Sequence, residues 1–480
     1  MALMPLPLPA GVVKPGSVYD AKGRWHVADF IRWHNGVMQP MGGWSVLSGA
    51  TGTAVGGPVR GLIAWRRNNG DAKLWIGTPT KAYSYADGTL TAITPVGFTT
   101  GASDASGDYW ARVEANTWQV DTYGEDIMAV AKSDGKLYQW DSSAGGAMAA
   151  VTNAPTGNLG VVVTPERFLF ALGASSDARN IAWPDQDDIT DWTATVTNQA
   201  GSHILTGSGQ ILSGRRSRNE TLIWTDVDLF SARYIGGDLI YSFKEVGSRC
   251  GAISRNAMTV VDGWAMWMGQ DNFYLYDGAV RALPSDVSDF VFGDINRVQA
   301  SKIACMPLTD FNEVWWFYPS SSATENDRMV GVNYREGHWM VVDSFERTAG
   351  VDRGFLEFPI MADAAGAVYF HENGTAMVDE GGTPTYTPNA ESGPVELGNG
   401  DRTMHIRSIV PSEKTLGDLD FHLLTSLYPM GDEQDHGPFP ATEITDARAS
   451  GRQVRLKFVQ DQTDWRFGTP RLDVVPGGKR

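Results

Sequence analysis

One short unit of alternating aromatic and apolar residues constrains the fold of this chain more than any other feature. Residues 263–284 read GWAMWMGQDNFYLYDGAVRALP. Two runs with a period of two, Trp264–Met268 and Phe273–Tyr276, flank a polar turn, and Asp277-Gly278 leads into a third run over 279–283. Such alternation between Gly, Asp and Asn residues is typical of strands joined by hairpins, and Asp-Gly favours the positive φ angles of a tight hairpin. The unit therefore predicts a three-stranded antiparallel meander.

The same unit recurs along the chain. Related aromatic pairs with a nearby turn occur within residues 74–94, 127–141 and 368–378, and the spacing of the first two copies is close to that of radial blades or stacked arrays. A lone small sheet has edges and faces to cover, and arranging such sheets around an axis packs them face on face. We therefore predict an all-β fold with a β-propeller. The alternative is a set of ordinary hairpins in a sandwich or a second domain.

The pattern also predicts how the chain is divided. We expect an N-terminal segment, residues 1–58, that contributes no blade and packs with the C-terminal region. The β-propeller is predicted over residues 59–385, and its seventh candidate blade ends with a strand over 375–378. Residues 386–480 are predicted to form a C-terminal, sandwich-like β-rich platform, and alternation within them predicts four long strands over 402–410, 419–427, 452–459 and 470–475. The Gly- and Pro-containing stretch 380–393 predicts a linker, residues 429–440 predict a polar loop, and residues 287–298 predict a short helix.

Composition limits the classes of partner. The 480 residues carry a formal charge of −17 and only 20 % charged residues. This charge argues against a general nucleic-acid binder with a basic face, but it suits the wall of a channel through which DNA slides without being gripped. Cys250 and Cys305 give no disulfide framework and are predicted to be buried in a protein folded in a reducing compartment. The apolar N-terminus lacks the basic start of a signal peptide, and no apolar run is long enough to span a membrane.

Catalytic and ligand-binding motifs are scarce. We find no nucleophile elbow, phosphate-binding loop, zinc-protease motif or Cys-x-x-Cys pair, so we nominate no catalytic, cofactor-binding or metal-binding residue, expect no cofactor, and expect that the chain is not an enzyme. Residues 185–192 are acid-rich but lack the glycine and distal glutamate of a calcium loop, which favours a capping turn. Four tryptophans in alternating strands are predicted to be core residues rather than sugar-stacking platforms: Trp65, Trp75, Trp264 and Trp267.

Several segments resemble a known family, the tail hub or nozzle proteins of short-tailed bacteriophages, which are also called packaged-DNA stabilisation proteins. The resemblance lies in DFIRWHNG at 29–36 with Gly42-Gly43-Trp44, RNIAWPD at 179–185 with Asp191-Trp192, TLIWTDVDLFS at 221–231, KEVGSRCG at 244–251, and the last strands from Gly451 to Val474. The acidic loops at 185–191 and 319–327 depart from the family pattern, which leaves the partner-facing surfaces open.

The resemblance implies a structural virion protein that is assembled in the host cytoplasm and located in the tail. It implies a homo-oligomer, a hexameric ring, below the head-to-tail adaptor protein. The ring would line the channel for packaged DNA without sequence-specific binding, help to retain the genome until ejection, and anchor tail fibres or spikes, with no membrane insertion. The alternative hypothesis is a propeller that binds or hydrolyses glycans. A host-type interaction scaffold is a third, but the regular Trp-Asp repeats it would show are missing.

Overall fold

The computed structural model describes residues 2–108, 111–381, 386–397, 400–412, 414–429, 431–460 and 464–479. Within these residues, seven four-stranded antiparallel sheets follow one another around an axis. The first strand of each sheet contacts the first strand of the next, and the seventh contacts the first, so the circle is closed. The chain is thus an all-β protein with a seven-bladed β-propeller, as the repeated meanders predict.

The blades are numbered in chain order. Blade 1 comprises Gly61–Arg66, Ala72–Gly77, Ala82–Ala86 and Thr89–Ala92, and blade 2 comprises Trp118–Tyr123, Asp126–Ala131, Leu137–Trp140 and Ala149–Ala150. Blade 3 comprises Gly160–Val163, Leu169–Leu172, Asn180–Trp183 and Gly201–Ile204, and blade 4 comprises Ile211–Arg216, Thr221–Thr225, Leu229–Gly236 and Ile240–Gly247. Blade 5 comprises Met258–Val261, Trp264–Met268, Phe273–Tyr276 and Val280–Ala282, and blade 6 comprises Ala304–Leu308, Glu313–Tyr318, Arg328–Asn333 and Trp339–Val342.

The apolar core lies between the blades. Each pair of neighbouring blades encloses its own cluster of buried side chains, including the pair formed by blades 7 and 1. Because both faces of a blade are covered, most of its second strand is buried on both faces rather than on one. Every residue of Glu313–Tyr318, sequence EVWWFY, is buried. Face-to-face packing of small sheets thus explains why aromatic residues dominate the repeated unit.

The seventh blade corrects two predictions. It consists of Ala349–Val351, Ile360–Ala362 and Val368–His371, and its fourth strand is Trp44–Val46 from the N-terminal segment. The first 58 residues therefore do contribute to a blade, and residues 375–378 do not form the predicted strand. Within residues 375–378, Met377 makes only an isolated parallel bridge to Trp44. The physical reason is closure: a strand from the start of the chain, placed beside the end of the circle, ties the two together.

Two further sheets lie outside the propeller. One contains Ala2–Pro5, Arg471–Pro476, Met404–Val410 and Thr445–Gly451, in that order. The other contains Trp25–Asp29, Asn389–Ser392, Gln453–Val459, Asp420–Ser426 and Gln434–Pro440, with Val395–Glu396 paired to the third of these strands. Their buried residues form one shared core. The four long C-terminal strands expected from alternation are confirmed.

Two loop predictions in this region are wrong. Residues 434–440 form a strand within the predicted polar loop, and residues 389–392 form a strand within the predicted linker. Pairing with a neighbouring strand satisfies their backbone groups despite the polar sequence. Residues 382–385 of the linker and residue 430 of the loop lie outside the described residues. The boundaries at 58/59 and 385/386 stay predictions.

The remaining elements are short. The α-helices are Gly52–Val55 and Ser288–Asp294, and the 3₁₀ helices are Tyr19–Ala21, Ala174–Ser176, Gly237–Leu239, Ala300–Lys302 and Thr309–Phe311. A separate hairpin joins Ile31–His34 to Val37–Pro40. The predicted helix over 287–298 is confirmed in shorter form. Across the described ranges, no helix has the length and apolar character needed to cross a bilayer.

A buried ion cluster fixes the hairpin 31–40 to the propeller. Arg32 Nε and Nη2 each lie 3.2 Å from an oxygen of Glu313 in blade 6, and Arg32 Nη2 lies 2.8 Å from Glu372 Oε1 after blade 7. The side chains of Arg32 and Glu313 are 0 % exposed, and Trp315 Nε1 donates to Glu313 at 3.0 Å. Because one cation meets two carboxylates away from water, the pKa of Glu313 is raised to about 7, chiefly by burial.

Candidate functional site on the loop face

The axis of the propeller holds a small cavity rather than an open pore. Its volume is about 260 Å³, and its wall is formed by the first strands of the blades. The Gln119 side chain bridges these strands: its Nε2 donates to Arg255 O at 2.6 Å and to Asn256 Oδ1 at 2.8 Å, and its Oε1 accepts from Ser213 Oγ at 2.6 Å. Arg215 Nη1 donates to the same oxygen at 3.3 Å. This buried polar network crosses between blades 2, 4 and 5 and stiffens the centre of the disc.

A long loop between blades 1 and 2 is anchored beside the axis. Its Asp104 carboxylate lies 2.5 Å from Lys302 Nζ, which also contacts Glu325 Oε1 at 2.7 Å. Arg60 Nη2 lies 2.5 Å from the same Glu325 oxygen, and Gln299 exchanges two hydrogen bonds with the backbone of Ala105. Lys302 holds the pKa of the Asp104 carboxyl below its usual range. The loop is therefore fixed to the structure by charge and hydrogen bonds.

This loop lies at one end of the propeller, which we call the loop face. It is formed by the loops that lead into each first strand and the loops that join each second strand to the third. Two cavities of about 690 and 560 Å³ open there and share Arg112, Glu114 and Gln210. We call the two together the loop-face cleft. Loops on a rigid scaffold are where binding residues concentrate, and the larger volume is within the range of ligand pockets, so we treat this cleft as the candidate functional site.

Cations outnumber carboxylates in the cleft. Arg112, Lys132, Arg255 and Arg297 line it, together with Glu114 and Asp226. Lys132 Nζ lies 3.7 Å from Glu114 Oε2, and Arg112 Nη1 donates to Arg297 O at 3.0 Å. The pKa of Lys132 is lowered by burial and by the charge of Arg255. A chain with a formal charge of −17 thus places a locally positive cleft on its loop face.

Arg255 is the most deeply placed of these cations. The residue is 3 % exposed, and its Nη1 makes only long contacts with Thr117, 3.5 Å to the carbonyl oxygen and 3.4 Å to Oγ1. Its Nε and Nη2 are enclosed without a hydrogen-bond partner in the described structure. Burial lowers the pKa of Arg255 to about 10, and Glu114 opposes that shift. A buried guanidinium with unmade hydrogen bonds destabilises the protein unless another group compensates it.

The carboxylates of the cleft differ in environment. Burial raises the pKa of Asp226, and the nearby Asp228 and Glu114 charges add to the rise, while the Gln210 N–H opposes it. Glu114 is partly exposed and is paired with Lys132. Two carboxyl groups whose surroundings differ are the combination that acid–base chemistry uses. The cleft therefore has the groups needed to bind an anion or to move a proton.

Two of the segments quoted for the family resemblance meet at the wall of this cleft. The N–H groups of Cys250 and Gly251 both donate to Val227 O, at 2.9 and 2.8 Å. A Cβ on Gly251 would lie 2.1 Å from the carbonyl carbon of Asp226, so only glycine permits this approach. The segments 221–231 and 244–251 thus fix the position of Asp226.

The features singled out in the sequence are structural. Among the carboxylates of residues 185–191, Asp188 accepts hydrogen bonds from Thr190 within the turn, whereas Asp185 accepts from Gln199 N and Asp191 from Asn198 Nδ2. The segment is a hydrogen-bonded turn, but within the described residues 184–200 it caps no helix. In the described part of the chain, no three His, Cys, Asp or Glu side chains cluster as metal ligands. Trp65, Trp75 and Trp267 are buried, whereas Trp264 is half-buried against Tyr334. Both cysteines are free; Cys250 is buried, and Cys305 is half-buried in the wall of the axial cavity.

The cleft residues were not predicted from the sequence. Glu114, Gln210, Asp226, Arg255 and Arg297 come from five different loops. Each is a single polar residue in a turn-rich stretch, with no spacing that links it to the others. Only a prior assignment of the loops to one end of the propeller could have grouped them.

Comparison with known proteins finds distant structural likenesses. No model of a protein family matches the chain, and no curated protein is significantly similar to it. Among solved structures, virginiamycin B lyase from Staphylococcus aureus is 10 % identical with a TM-score of 0.43, covering 68 % of this chain and 97 % of its own. A streptogramin B lyase structure is 10 % identical with a TM-score of 0.41, covering 68 % and 96 %. The Cps50 (Swd1) β-propeller domain of Myceliophteria thermophila is 10 % identical with a TM-score of 0.40, covering 65 % and 99 %.

These likenesses correct one prediction. The expectation that the chain is not an enzyme is contradicted, because the similar structures include lyases, which are enzymes. At 10 % identity the likeness concerns the fold and does not transfer the lyase reaction. The sheet topology by itself shows that this chain is built on a β-propeller.

Proposed function

We propose that the chain is a structural subunit of a short-tailed bacteriophage tail, a nozzle or hub protein. Six copies form a ring below the head-to-tail adaptor, line the channel for packaged DNA, help to retain the genome until ejection and anchor tail fibres or spikes. The protein is assembled in the host cytoplasm and resides in the virion tail. The resemblance of segments 29–36, 179–185, 221–231 and 244–251 to that family supports this proposal.

One structural observation carries the mechanical part of the proposal. The first 46 residues add a strand to three separate sheets: Ala2–Pro5 and Trp25–Asp29 join the two C-terminal sheets, and Trp44–Val46 completes blade 7. A chain that ties both parts together near its start resists separation of the disc from the platform. A ring that withstands the pressure of packaged DNA needs such stiffness.

The DNA path in this proposal lies between the copies. A cavity of about 260 Å³ crossed by the Gln119 network is far too small for a duplex, whose major groove alone is about 12 Å wide. The net charge of −17 gives the ring a wall that repels phosphate instead of gripping it.

The test is the state of assembly. Light scattering after size exclusion measures the mass of the purified chain alone and with the neighbouring tail proteins, and cryo-electron microscopy locates it in the virion. We expect about 313 kDa for the ring, six times 52.2 kDa. A chain that remains a monomer with every tail protein and is absent from the particle overturns the proposal.

A second candidate function, the binding or hydrolysis of glycans, is favoured by a separate observation. Glu114 and Asp226 line the same cavity, and the charge of Glu114 contributes to the raised pKa of Asp226. Two carboxyl groups facing one cleft are what glycoside hydrolysis requires. The test is the release of reducing ends from polysaccharides by the wild type and by Asp226→Asn. Equal release by both, or none from any polysaccharide, overturns the hydrolytic part.

A further inference from the structure

We infer that the loop-face cleft binds a carboxylate-bearing sugar, and that Arg255 holds the carboxylate. This inference deepens the second candidate function and rests on its binding part. It is independent of the ring proposal, because the cleft belongs to a single chain.

Charge is the first argument. The cleft is lined by four cationic and two acidic side chains in a chain that is acidic as a whole. Like charges gathered on one surface repel each other unless an anion lies among them. Glu114 compensates Lys132, and Arg297 is 3.5 Å from Asp271. In the described structure no carboxylate lies within 4 Å of a nitrogen of Arg255, so its charge lacks a direct counterion.

The hydrogen bonds of Arg255 are the second argument. A guanidinium has five N–H donors in a planar fork that matches a carboxylate. Arg255 is 3 % exposed, its contacts with Thr117 are long, and Nε and Nη2 are unpartnered. Arg255 lines the cavity of about 690 Å³, so binding requires the side chain to turn its fork toward that cavity. A charge-assisted hydrogen bond to a carboxylate would compensate the desolvation of the Arg255 guanidinium, which remains uncompensated while the site is empty.

The size and polarity of the cavity indicate what carries the carboxylate. A volume of about 690 Å³ is much larger than a single inorganic anion needs. Gln210, Gln270 and Ser301 contribute polar groups to the wall, and the Ser301 hydroxyl is enclosed without a partner. Glu114 and Asp226 add acceptors for hydroxyl groups. Donors and acceptors around one strong anion site fit a polyhydroxylated acid such as a uronate.

The experiment is titration calorimetry of the full chain with three probes: D-glucuronate, D-glucose and inorganic phosphate. We expect glucuronate to bind at least about tenfold more tightly than the other two, which is what one charge-assisted hydrogen bond contributes. Arg255→Met should weaken glucuronate binding by at least about tenfold, and Arg255→Lys should weaken it less. Arg112→Met, at an exposed position in the cleft, provides a second variant that leaves the buried core intact.

Arg218→Met is the matched control. This arginine lies in the turn between the first two strands of blade 4, at the other end of the propeller, where it donates to Asp262 O. It should leave the affinity unchanged. If glucose binds as tightly as glucuronate, the inference is overturned and the binding part of the second candidate stands. If phosphate binds as tightly as glucuronate, the sugar part is overturned. If no probe binds, the inference is overturned, and a glycan array then tests the second candidate by itself.

Discussion

The buried carboxyl of Glu313 makes the stability of this protein depend on pH in a direction opposite to that of most acidic groups. An ion-paired carboxylate usually has a lowered pKa and stabilises the fold above that pKa. Glu313 is fully buried and faces Glu372 across a single Arg32, and its pKa is raised from 4.5 to about 7. The folded state therefore binds a proton that the unfolded state releases between these two values.

The sign and the size of the pH dependence due to Glu313 follow from the linkage between proton binding and folding. Because the folded pKa is the higher one, the stabilisation from this group is fully present below pH 4.5 and is lost as the pH rises through about 7. Between pH 5 and pH 8 the expected loss is about 2–3 kcal/mol, since each pKa unit corresponds to about 1.4 kcal/mol. Glu313→Gln removes the titrating group and keeps an oxygen that can accept from Arg32 and from Trp315.

The assay is urea unfolding followed by tryptophan fluorescence at pH 5 and pH 8. The free energy of unfolding of the wild type should fall between the two pH values by about 2–3 kcal/mol more than that of Glu313→Gln. The control is Glu357→Gln at an exposed position, which should behave as the wild type does. The companion variant Arg32→Met leaves the buried Glu313 and the half-buried Glu372 without their shared cation, and it should cost about 3–5 kcal/mol at pH 8 and less at pH 5.

One pattern of pH dependence would contradict the titration of Glu313. If Glu313→Gln shows the same pH dependence as the wild type, Glu313 does not titrate between pH 5 and pH 8. The ion pair and the hydrogen bond from Arg32 to Glu313 would then outweigh burial and the charge of Glu372.

Three further predictions concern closure, the axis and the anchored loop. Trp44→Ala removes a buried ring stacked on His371 at 5.0 Å and its hydrogen bond to Asp379, and it should lower the free energy of unfolding in urea by about 3–5 kcal/mol. The control Ser45→Ala, at an exposed position, should change that free energy little. Equal effects of the two substitutions would contradict strand closure by Trp44. Gln119→Leu leaves the Arg255 carbonyl without this donor and the Ser213 hydroxyl without this acceptor, and it should lower the free energy of unfolding by about 2–4 kcal/mol. A neutral result would show that the network does not stiffen the axis. Lys302→Met removes the ion pair that anchors Asp104, and it should therefore accelerate protease cleavage within residues 93–117. An unchanged rate of cleavage would contradict this prediction.

Local patterns determined the meanders and their turns. Alternation in 264–268 and 273–276 required strands, and Asp87-Gly88 required a tight hairpin, in which both residues have positive φ, 48° and 78°. These features depend on side-chain parity and backbone preference within a few residues. For the same reason the four long C-terminal strands could be predicted, while the strand 434–440, whose sequence QDHGPFP lacks a clear period, could not.

The tertiary structure alone decided what closes the circle and what lines the cleft. Trp44–Val46 pairs with Val368–His371 across more than 300 positions of sequence, and no local signal states which distant edge a three-residue strand will cover. The same holds for Arg255 and Glu114, because their proximity results from the curvature of seven sheets around one axis. Short-range periodicity in a sequence defines each blade, but pairing over long sequence separations is set by which edges and charges remain uncovered once the blades have packed.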